Sequence, residues 1–334
     1  MFAIAMETWV TVLILGCVLT CTTTLYWYST PDSLKEGLGT ERGYWGVFDS
    51  EFNWCERDYV VSEYVAEWWN TWTSLWYVAA CVLSFSLHST KDLGGPTAMA
   101  LAAVGPLGLG SAAFHGTLRY TMQLTDEIPL YCVILLTVYA LLHRHAMAPA
   151  WQLGVTWASI LVVAGPLLLT PRHSAPHEFS RGFMTYAFSA AMILMFVLVG
   201  RAGKEITQEL RGRGMAEAEA AFGRMADQSF LFMVGGELLW ITDIFACASL
   251  RSLPYGLPYP HLHAFGWHGC TTIVVFQIVE LLVLHRALFR RPKGATLAIK
   301  HLLPFGLLPY VSTDPEAGEE VRRGPTRPRG QKAK

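Results

Sequence analysis

Long apolar runs separated by short polar loops dominate the chain from about residue 65 to residue 288. Seven of them have roughly the length, about 20 residues, that an α-helix needs to cross the hydrocarbon core of a bilayer. They lie at about 65–87, 97–115, 127–142, 151–169, 179–199, 229–248 and 265–288. The pattern predicts an all-α, polytopic membrane protein with a seven-transmembrane-helix core.

Two segments flank this core. Residues 1–40 contain a further apolar run, Trp9 to Tyr28, without a basic n-region or an obvious signal-peptide cleavage site. We expect it to form an extra transmembrane helix or an uncleaved anchor. Residues 291–334 are expected to form a cytosolic, largely disordered basic tail, because the polar residues after about Asp314 offer little apolar surface to bury. The predicted division is therefore 1–40, 41–290 and 291–334.

Composition agrees with a membrane protein. Hydrophobic residues make up 52% of the chain and charged residues only 15%, whereas a soluble domain carries roughly 25% charged residues. The net charge of −1 gives no reason to expect nucleic acid as a partner, and no sequence feature identifies a protein partner. The seven cysteines include no CxxC pair, so no zinc-finger or redox motif is present.

Basic residues in the short loops indicate the orientation of the core. We call the side that holds residues 44–63 the outer side. Loops on the opposite side are richer in lysine and arginine, particularly the loop of residues 201–224 and the segment of residues 286–293. The bias predicts a cytosolic C-terminus and a lumenal or extracellular outer side.

Several polar residues share one depth at the outer edge of the core. Ser111 and His115 end the second run, Asp126 begins the third, and His263 and His268 begin the seventh. Singly, each has an ordinary interpretation as a back-bonded helix serine or an interfacial loop residue. Together they match a zinc site with an open position, which needs about three protein ligands and a water. The four-residue spacing also puts Ser111 and His115 on one face of a helix.

A second polar cluster precedes the first run, in "FDSEFNWCERDYVVSEYVAEWWN". Its carboxylates and amide are oxygen ligands at close spacing, although no EF-hand pattern is present. From composition alone the cluster is either a cation site or an acidic, solvated entry to the membrane.

At this point the motifs resemble a known family, the alkaline ceramidases, which are seven-helix hydrolases of the superfamily that also contains the progestin and adiponectin receptors. The matching segments, in chain order, are "GYWG", "NWCERDY", "AEWWNTW", "GSAAFHGTLRYTMQLTDEIP", "CASLR" and, more loosely, "HAFGWH". The resemblance extends from about residue 43 to residue 290. It implies an enzyme that hydrolyses the amide bond of ceramide, a membrane lipid, to a sphingoid base and a free fatty acid.

The resemblance also implies site residues. Zinc is expected on His115, His263 and His268, with Ser111 as oxyanion donor and Asp126 as the acid/base that acts on the attacking water and the leaving amine. Calcium is expected on a set in the N-terminal cluster, namely Asn53, the Trp54 carbonyl, Glu56, Asp58 and Glu67. The family usually has Asp at position 53 and Asn at position 58, a swap that keeps three carboxylates.

A disulfide between Cys55 and Cys247 is implied as well. Both cysteines lie on the predicted outer side, which is oxidising if that side faces the lumen of the endoplasmic reticulum or Golgi. We therefore expect a multi-pass protein of one of these membranes, with the zinc site towards the lumen.

The spacing of the last histidines departs from the family. The usual motif H-A-W-W-H has a step of four residues, whereas His263 and His268 are five apart. On an ideal helix that step rotates the side chain by about 140° instead of about 40°. A π-bulge near Gly266 would restore a common face; alternatively, His263 precedes the helix, or His261 supplies the ligand.

Other functional classes remain open at this level. A receptor-like member of the superfamily, a seven-helix transporter and a bis-histidine haem protein also use intramembrane histidines and acids. Asp243 matches a family aspartate, and Glu237 and Glu280 are acids within predicted runs that have no assigned role.

Overall fold

The computed structural model of the protein describes residues 43–144, 150–252, 261–290, 297–302 and 308–312. The predicted helix or anchor within residues 1–40 and the tail beyond residue 312 lie outside these ranges. The structure therefore bears on the predicted core and on the beginning of the predicted tail.

Helices dominate the described chain, and one lies at each of the seven predicted apolar runs. The α-helices are α1 (Trp68–Leu87), α2 (Thr90–Thr117), α3 (Tyr120–Leu142), α4 (Ala150–Leu169), α5 (Ala175–Gly212), α6 (Ala216–Phe245), the short α7 (Cys247–Arg251) and α8 (Gly269–Arg290), the last preceded by a π-helical segment (Leu262–His268). Helix α2 starts with a capping box between Ser89 and Asp92, and Ser174 caps α5, so local sequence fixes both starts.

Five of these helices are long and apolar enough to cross a membrane: α2, α3, α4, α5 and the continuous helix Leu262–Arg290. Their surfaces fit that role, because large apolar side chains remain exposed. On α4, for example, the exposed fraction reaches 66% for Trp151 and Leu161 and 85% for Leu169. Exposed apolar area of this extent indicates a face that lipid covers. The protein is therefore an all-α membrane protein in its main architecture.

Helices α2 and α3 form a closely packed pair around the connection that carries the predicted site residues. The connection is one tight turn at Leu118, which adopts the left-handed conformation with φ of 49°. Gly110 permits the close approach of the two helices, since a Cβ atom there would overlap the carbonyl oxygen of Thr125. The close approach brings the end of α2 next to the start of α3.

The structure adds a short β-hairpin at the beginning of the predicted tail, which the sequence analysis did not predict. Strands β1 (Ala298–His301) and β2 (Pro309–Ser312) pair antiparallel, with Ala298 opposite Ser312. The Val311 amide donates a hydrogen bond of 2.8 Å to the buried carboxylate of Glu280, which also contacts His88 Nε2 at 2.7 Å. This buried acid on α8 holds the hairpin, and tail composition alone gave no sign of that partner.

Gly110→Ala should destabilise the protein by about 1–3 kcal/mol, because the methyl group overlaps a backbone atom that cannot move without separating α2 from α3. Thermal unfolding in detergent measures the effect. Gly235→Ala in α6 is the matched control, since its Cβ would meet nothing within 4 Å. Equal melting temperatures for the two variants would contradict this account of the α2–α3 contact.

Candidate metal centre

Three buried histidines from different parts of the chain converge on one point. One potential ligand atom each from His115, His263 and His268 lies within 4.8 Å of the other two. The ring centroids of His263 and His268 are 4.7 Å apart, and each lies 5.2 Å from that of His115. Within the described part of the chain, this is the only group of three or more such residues that converges in this way.

The π-helical segment Leu262–His268 brings the last two histidines together. It contains both residues, and its wider turn places a five-residue step on one face, as the sequence analysis anticipated for a π-bulge. His261 lies just before this segment and contacts the rings of Trp69 and Phe265. It does not belong to the converging group.

Hydrogen bonds to Nδ1 fix two of the three imidazole rings. Glu67 Oε2 lies 2.5 Å from His115 Nδ1, and Thr73 Oγ1 lies 2.8 Å from His268 Nδ1. Partners of this kind set the tautomer and orientation of metal-binding histidines. They leave Nε2 of each ring for a ligand.

The donor set therefore fits zinc. Three imidazole nitrogens and one open position are a common arrangement for a catalytic zinc ion. Nδ1 of His263 is buried and has no hydrogen-bond partner among the described residues, while the Trp54 ring stacks on His263 with centroids 3.6 Å apart. A buried imidazole without a partner for one nitrogen costs free energy that a bound ion would offset.

Ser111 and Asp126 form a polar pair beside the histidines. The Ser111 hydroxyl lies close to the Asp126 carboxylate, and Ser74 Oγ lies 3.1 Å from Ser111 Oγ. The Ser111 hydroxyl carries one proton, which an oxygen in the site can accept. The tight turn between α2 and α3 brings Ser111 and Asp126 next to each other.

A cavity of about 290 Å³ opens at this pair and extends into the helix bundle. Its polar end includes Ser111, Asp126, His263 and His268. The rest of the wall is mostly apolar and reaches Leu282 on α8, fourteen residues beyond His268, which corresponds to about 21 Å of helix. A long, narrow apolar chain with a polar group at one end matches this shape.

The residues expected to hold calcium lie in a buried cluster before α1. They are Asn53, Trp54, Glu56, Asp58 and Glu67, all buried. Asn53 donates to Asp58 at 3.0 Å, while its own carbonyl oxygen Oδ1 is buried without a partner among the described residues. The Glu56 carboxylate accepts the backbone amides of Trp69 and Asn70, and so caps α1.

Burial and mutual repulsion perturb these carboxyl groups. Burial raises the pKa of Glu56 to about 7, and the nearby charges of Asp243 and Asp58 contribute. The pKa of Glu67 is also raised well above its usual range. Burial is the main cause, and the nearby charges of Asp58 and Glu56 add to it. Three buried acids next to one orphaned amide oxygen are the donor chemistry that calcium prefers. By donor type these residues fit a calcium ion, whereas the carboxylate oxygens do not all lie within 4.8 Å of one another.

Two further contacts tie this segment to the bundle. Cys55 and Cys247 form a disulfide with Cα atoms 5.3 Å apart. The buried carboxylate of Asp243 accepts the backbone amides of Cys55 at 2.9 Å and of His263 at 3.3 Å. Asp243 thus joins the N-terminal segment to the start of the π-helical segment.

Some of these contacts escaped the sequence analysis. Glu67 was predicted as a calcium ligand, but its contact with His115 was not, and the role of Thr73 carried no signal. Thr73 lies on α1 and its partner His268 is 195 residues away. Only the relative rotation of two helices brings such a pair together, so no local motif could have identified it.

Comparison with known proteins agrees with the site. The sequence profile of the ceramidase family matches residues 46–312. Alkaline ceramidase 3 of Mus musculus is 28% identical over 286 residues, which cover 82% of this chain and 96% of that protein. Alkaline ceramidase YPC1 of Saccharomyces cerevisiae is 27% identical, covering 72% of this chain and 78% of that protein. An alkaline ceramidase of Arabidopsis thaliana is 24% identical over 81% of this chain and 95% of that protein.

The match spans the N-terminal acidic segment, the α2–α3 pair, the π-helical segment and the C-terminal hairpin, and thus every part of the candidate site. By this match over most of its length, the chain belongs to the ceramidase family.

Proposed function

We propose that the protein hydrolyses the amide bond of ceramide, releasing a sphingoid base and a free fatty acid, at a zinc site held by His115, His263 and His268. Family membership supports the activity. The single observation that carries the chemistry is the convergence of three buried imidazoles beside the Ser111–Asp126 pair, at the polar end of a long apolar cavity.

Each residue of the site has a separate role in the proposed reaction. Zinc bound to the three histidines supplies a Lewis acid and lowers the pKa of water towards neutrality. Asp126 accepts a proton from the attacking water and returns one to the leaving amine. Ser111 turns its proton towards the oxyanion that develops on the amide carbonyl. Glu67 and Thr73 hold the two histidine rings in position.

Calcium on the N-terminal cluster has a structural role in this proposal. Glu67 belongs to that cluster and also contacts His115, so an ion there fixes the segment against α1 and α2. The cluster contributes no group to the reaction itself. Calcium is therefore expected to raise activity by ordering the site.

The membrane arrangement follows from the same proposal. All seven long helices cross the bilayer, with α1 and α6 contributing polar faces to the interior, and the zinc site lies near the lumenal side of an endoplasmic reticulum or Golgi membrane. The basic loops on the opposite side and the disulfide, which needs an oxidising compartment, support this orientation.

Asp126→Asn should lower kcat by about 10²- to 10⁴-fold while zinc content stays at the wild-type level, because it removes the acid/base and leaves the ligands intact. His268→Ala should lose both zinc and activity. Sphingoid-base release from ceramide in detergent, combined with metal analysis, measures both. His261→Ala is the control and should retain its zinc. A wild-type protein that binds zinc but releases no sphingoid base from any ceramide would contradict the proposal.

Leu101→Trp should shift the substrate preference towards shorter hydrocarbon chains, by about tenfold in kcat/KM for a chain that loses two buried methylenes. Leu101 lines the cavity and is 1% exposed. Leu93→Trp is the matched control, since Leu93 is equally buried on α2 but does not line the cavity. Two ceramide series, one varying the acyl chain and one varying the base, identify which chain occupies the deep end. Unchanged profiles in both series would contradict the assignment of this cavity.

Calcium binding should strengthen as pH rises from 6 to 9. Without calcium, the raised pKa values of Glu56 and Glu67 mean that the folded protein holds protons that the unfolded chain releases, so stability falls as pH rises through about 7. Calcium replaces those protons, and the rise in melting temperature on adding calcium should therefore be larger at pH 9. Glu56→Gln should reduce this increment, whereas Glu63→Gln, an exposed acid of the same segment, should preserve it. An increment independent of pH would argue against calcium on these carboxylates.

A further inference from the structure

Glu127 follows Asp126 directly in sequence, yet the mechanism above does not use it. Its carboxylate pairs with the guanidinium of Arg181 on α5: Nη1 donates to Oε2 and Nη2 donates to Oε1, the latter at 2.7 Å. Arg181 is only 8% exposed and the Glu127 side chain 22% exposed, so this is a partly buried, bidentate ion pair. Such a pair holds both side chains in one orientation.

Two further side chains complete the cluster. Gln123, one turn before Glu127 on α3, donates to Glu127 Oε1 at 2.8 Å. Its carbonyl oxygen accepts the backbone amide of Glu51 at 2.7 Å. The Glu51 carboxylate accepts from Arg181 Nε at 2.7 Å. Arg181 is therefore bound by two carboxylates, one from α3 and one from the N-terminal segment.

The two carboxylates differ in one respect that matters for function. Glu127 and Arg181 line the same cavity as Ser111 and Asp126, whereas Glu51 does not. On α5 the cavity wall beyond Arg181 alternates between polar and apolar side chains, with Thr185 and Ser189 among Met184, Phe188 and Met192. The ion pair is thus a charged part of a cavity whose walls are otherwise mostly apolar, near the bond that is to be cleaved.

We propose that Glu127 recognises a hydroxyl group of the sphingoid base and that Arg181 positions it for that purpose. The inference rests on the proposed ceramide hydrolysis. In ceramide, the two carbons next to the one that bears the amide nitrogen each carry a hydroxyl group. With the amide carbon beside Ser111 and Asp126, those hydroxyls lie in the part of the cavity that Glu127 and Arg181 line.

The hydrogen-bonding capacity of the pair determines what it can recognise. An ionised carboxylate offers about four acceptor sites and no donor, and Glu127 accepts three hydrogen bonds, two from Arg181 and one from Gln123. One acceptor site is left for the cavity. Nε, Nη1 and Nη2 of Arg181 all donate to Glu51 or Glu127. A ligand group that binds the remaining acceptor site of Glu127 is therefore a donor, and a hydroxyl is the donor that the base supplies next to its amide.

A substrate cycle tests the assignment. Wild type and Glu127→Gln are compared on ceramide and on two chain-matched analogues, one lacking the 1-hydroxyl and one with a ketone in place of the 3-hydroxyl. Loss of a hydrogen bond to a charged group corresponds to about 10- to 100-fold in kcat/KM. For wild type, kcat/KM should be lower by that factor for one of the analogues than for ceramide. We call the quotient of the two values the discrimination ratio. Glu127→Gln should lower kcat/KM for ceramide by a similar factor and should lose most of the discrimination.

Glu51→Gln is the matched control, because it also weakens the binding of Arg181 but lies outside the cavity lining. It should preserve the wild-type discrimination ratio whatever its effect on total activity. Equal loss of discrimination in both variants would reduce Glu127 to a structural partner of Arg181 and overturn the inference.

The remaining outcomes are also decisive. If Glu127→Gln does not fold, Glu127→Asp, which retains the charge but retracts the carboxylate, should still reduce the ratio. Wild type that cleaves ceramide and both analogues equally well overturns this inference and leaves the proposed function intact. Failure to cleave any of the three overturns the proposed function itself.

Discussion

The buried carboxylate of Glu67 is the contact on which the rest of the site depends. It is 0% exposed, and a charge without partners at such a position would be prohibitive. Its partners come from three parts of the chain: the backbone amide of Trp54 at 2.9 Å, the side chain of Asn70 on α1 at 3.2 Å and His115 on α2 at 2.5 Å. Satisfying this one group fixes the N-terminal segment, the first helix and a candidate zinc ligand relative to one another.

The same principle extends outward from that group. Asp243, also buried, accepts amides from Cys55 and His263 and so joins the N-terminal segment to the π-helical segment. Arg181 on α5 binds Glu51 of the N-terminal segment and Glu127 of α3, and so connects these three elements. An apolar bundle with exposed leucines and tryptophans therefore encloses a polar interior whose charged groups select its arrangement. Each acid that is buried must find donors from another element, because lipid offers none.

How much could be predicted from the sequence depended on the range of the interaction. The helices lie where apolar runs predicted them. The five-residue step between His263 and His268 left three alternatives open, and the structure has the π-helical one. The hairpin formed by β1 and β2 was missed, because the group that holds it is Glu280 on a different element. Glu127 lies within the motif "GSAAFHGTLRYTMQLTDEIP", but its partner Arg181 could not be identified from the sequence.

The sequence by itself determined the helices of this protein and the chemical groups available to it, because a helix satisfies its backbone hydrogen bonds within one continuous segment. Tertiary structure alone decided which of those groups meet. Glu67 and His115 are 48 residues apart, Glu127 and Arg181 are 54 apart, and Cys55 and Cys247 are 192 apart. Their contacts depend on the rotation and depth of each helix against its neighbours. Packing over the whole bundle sets those quantities, and no local pattern records them.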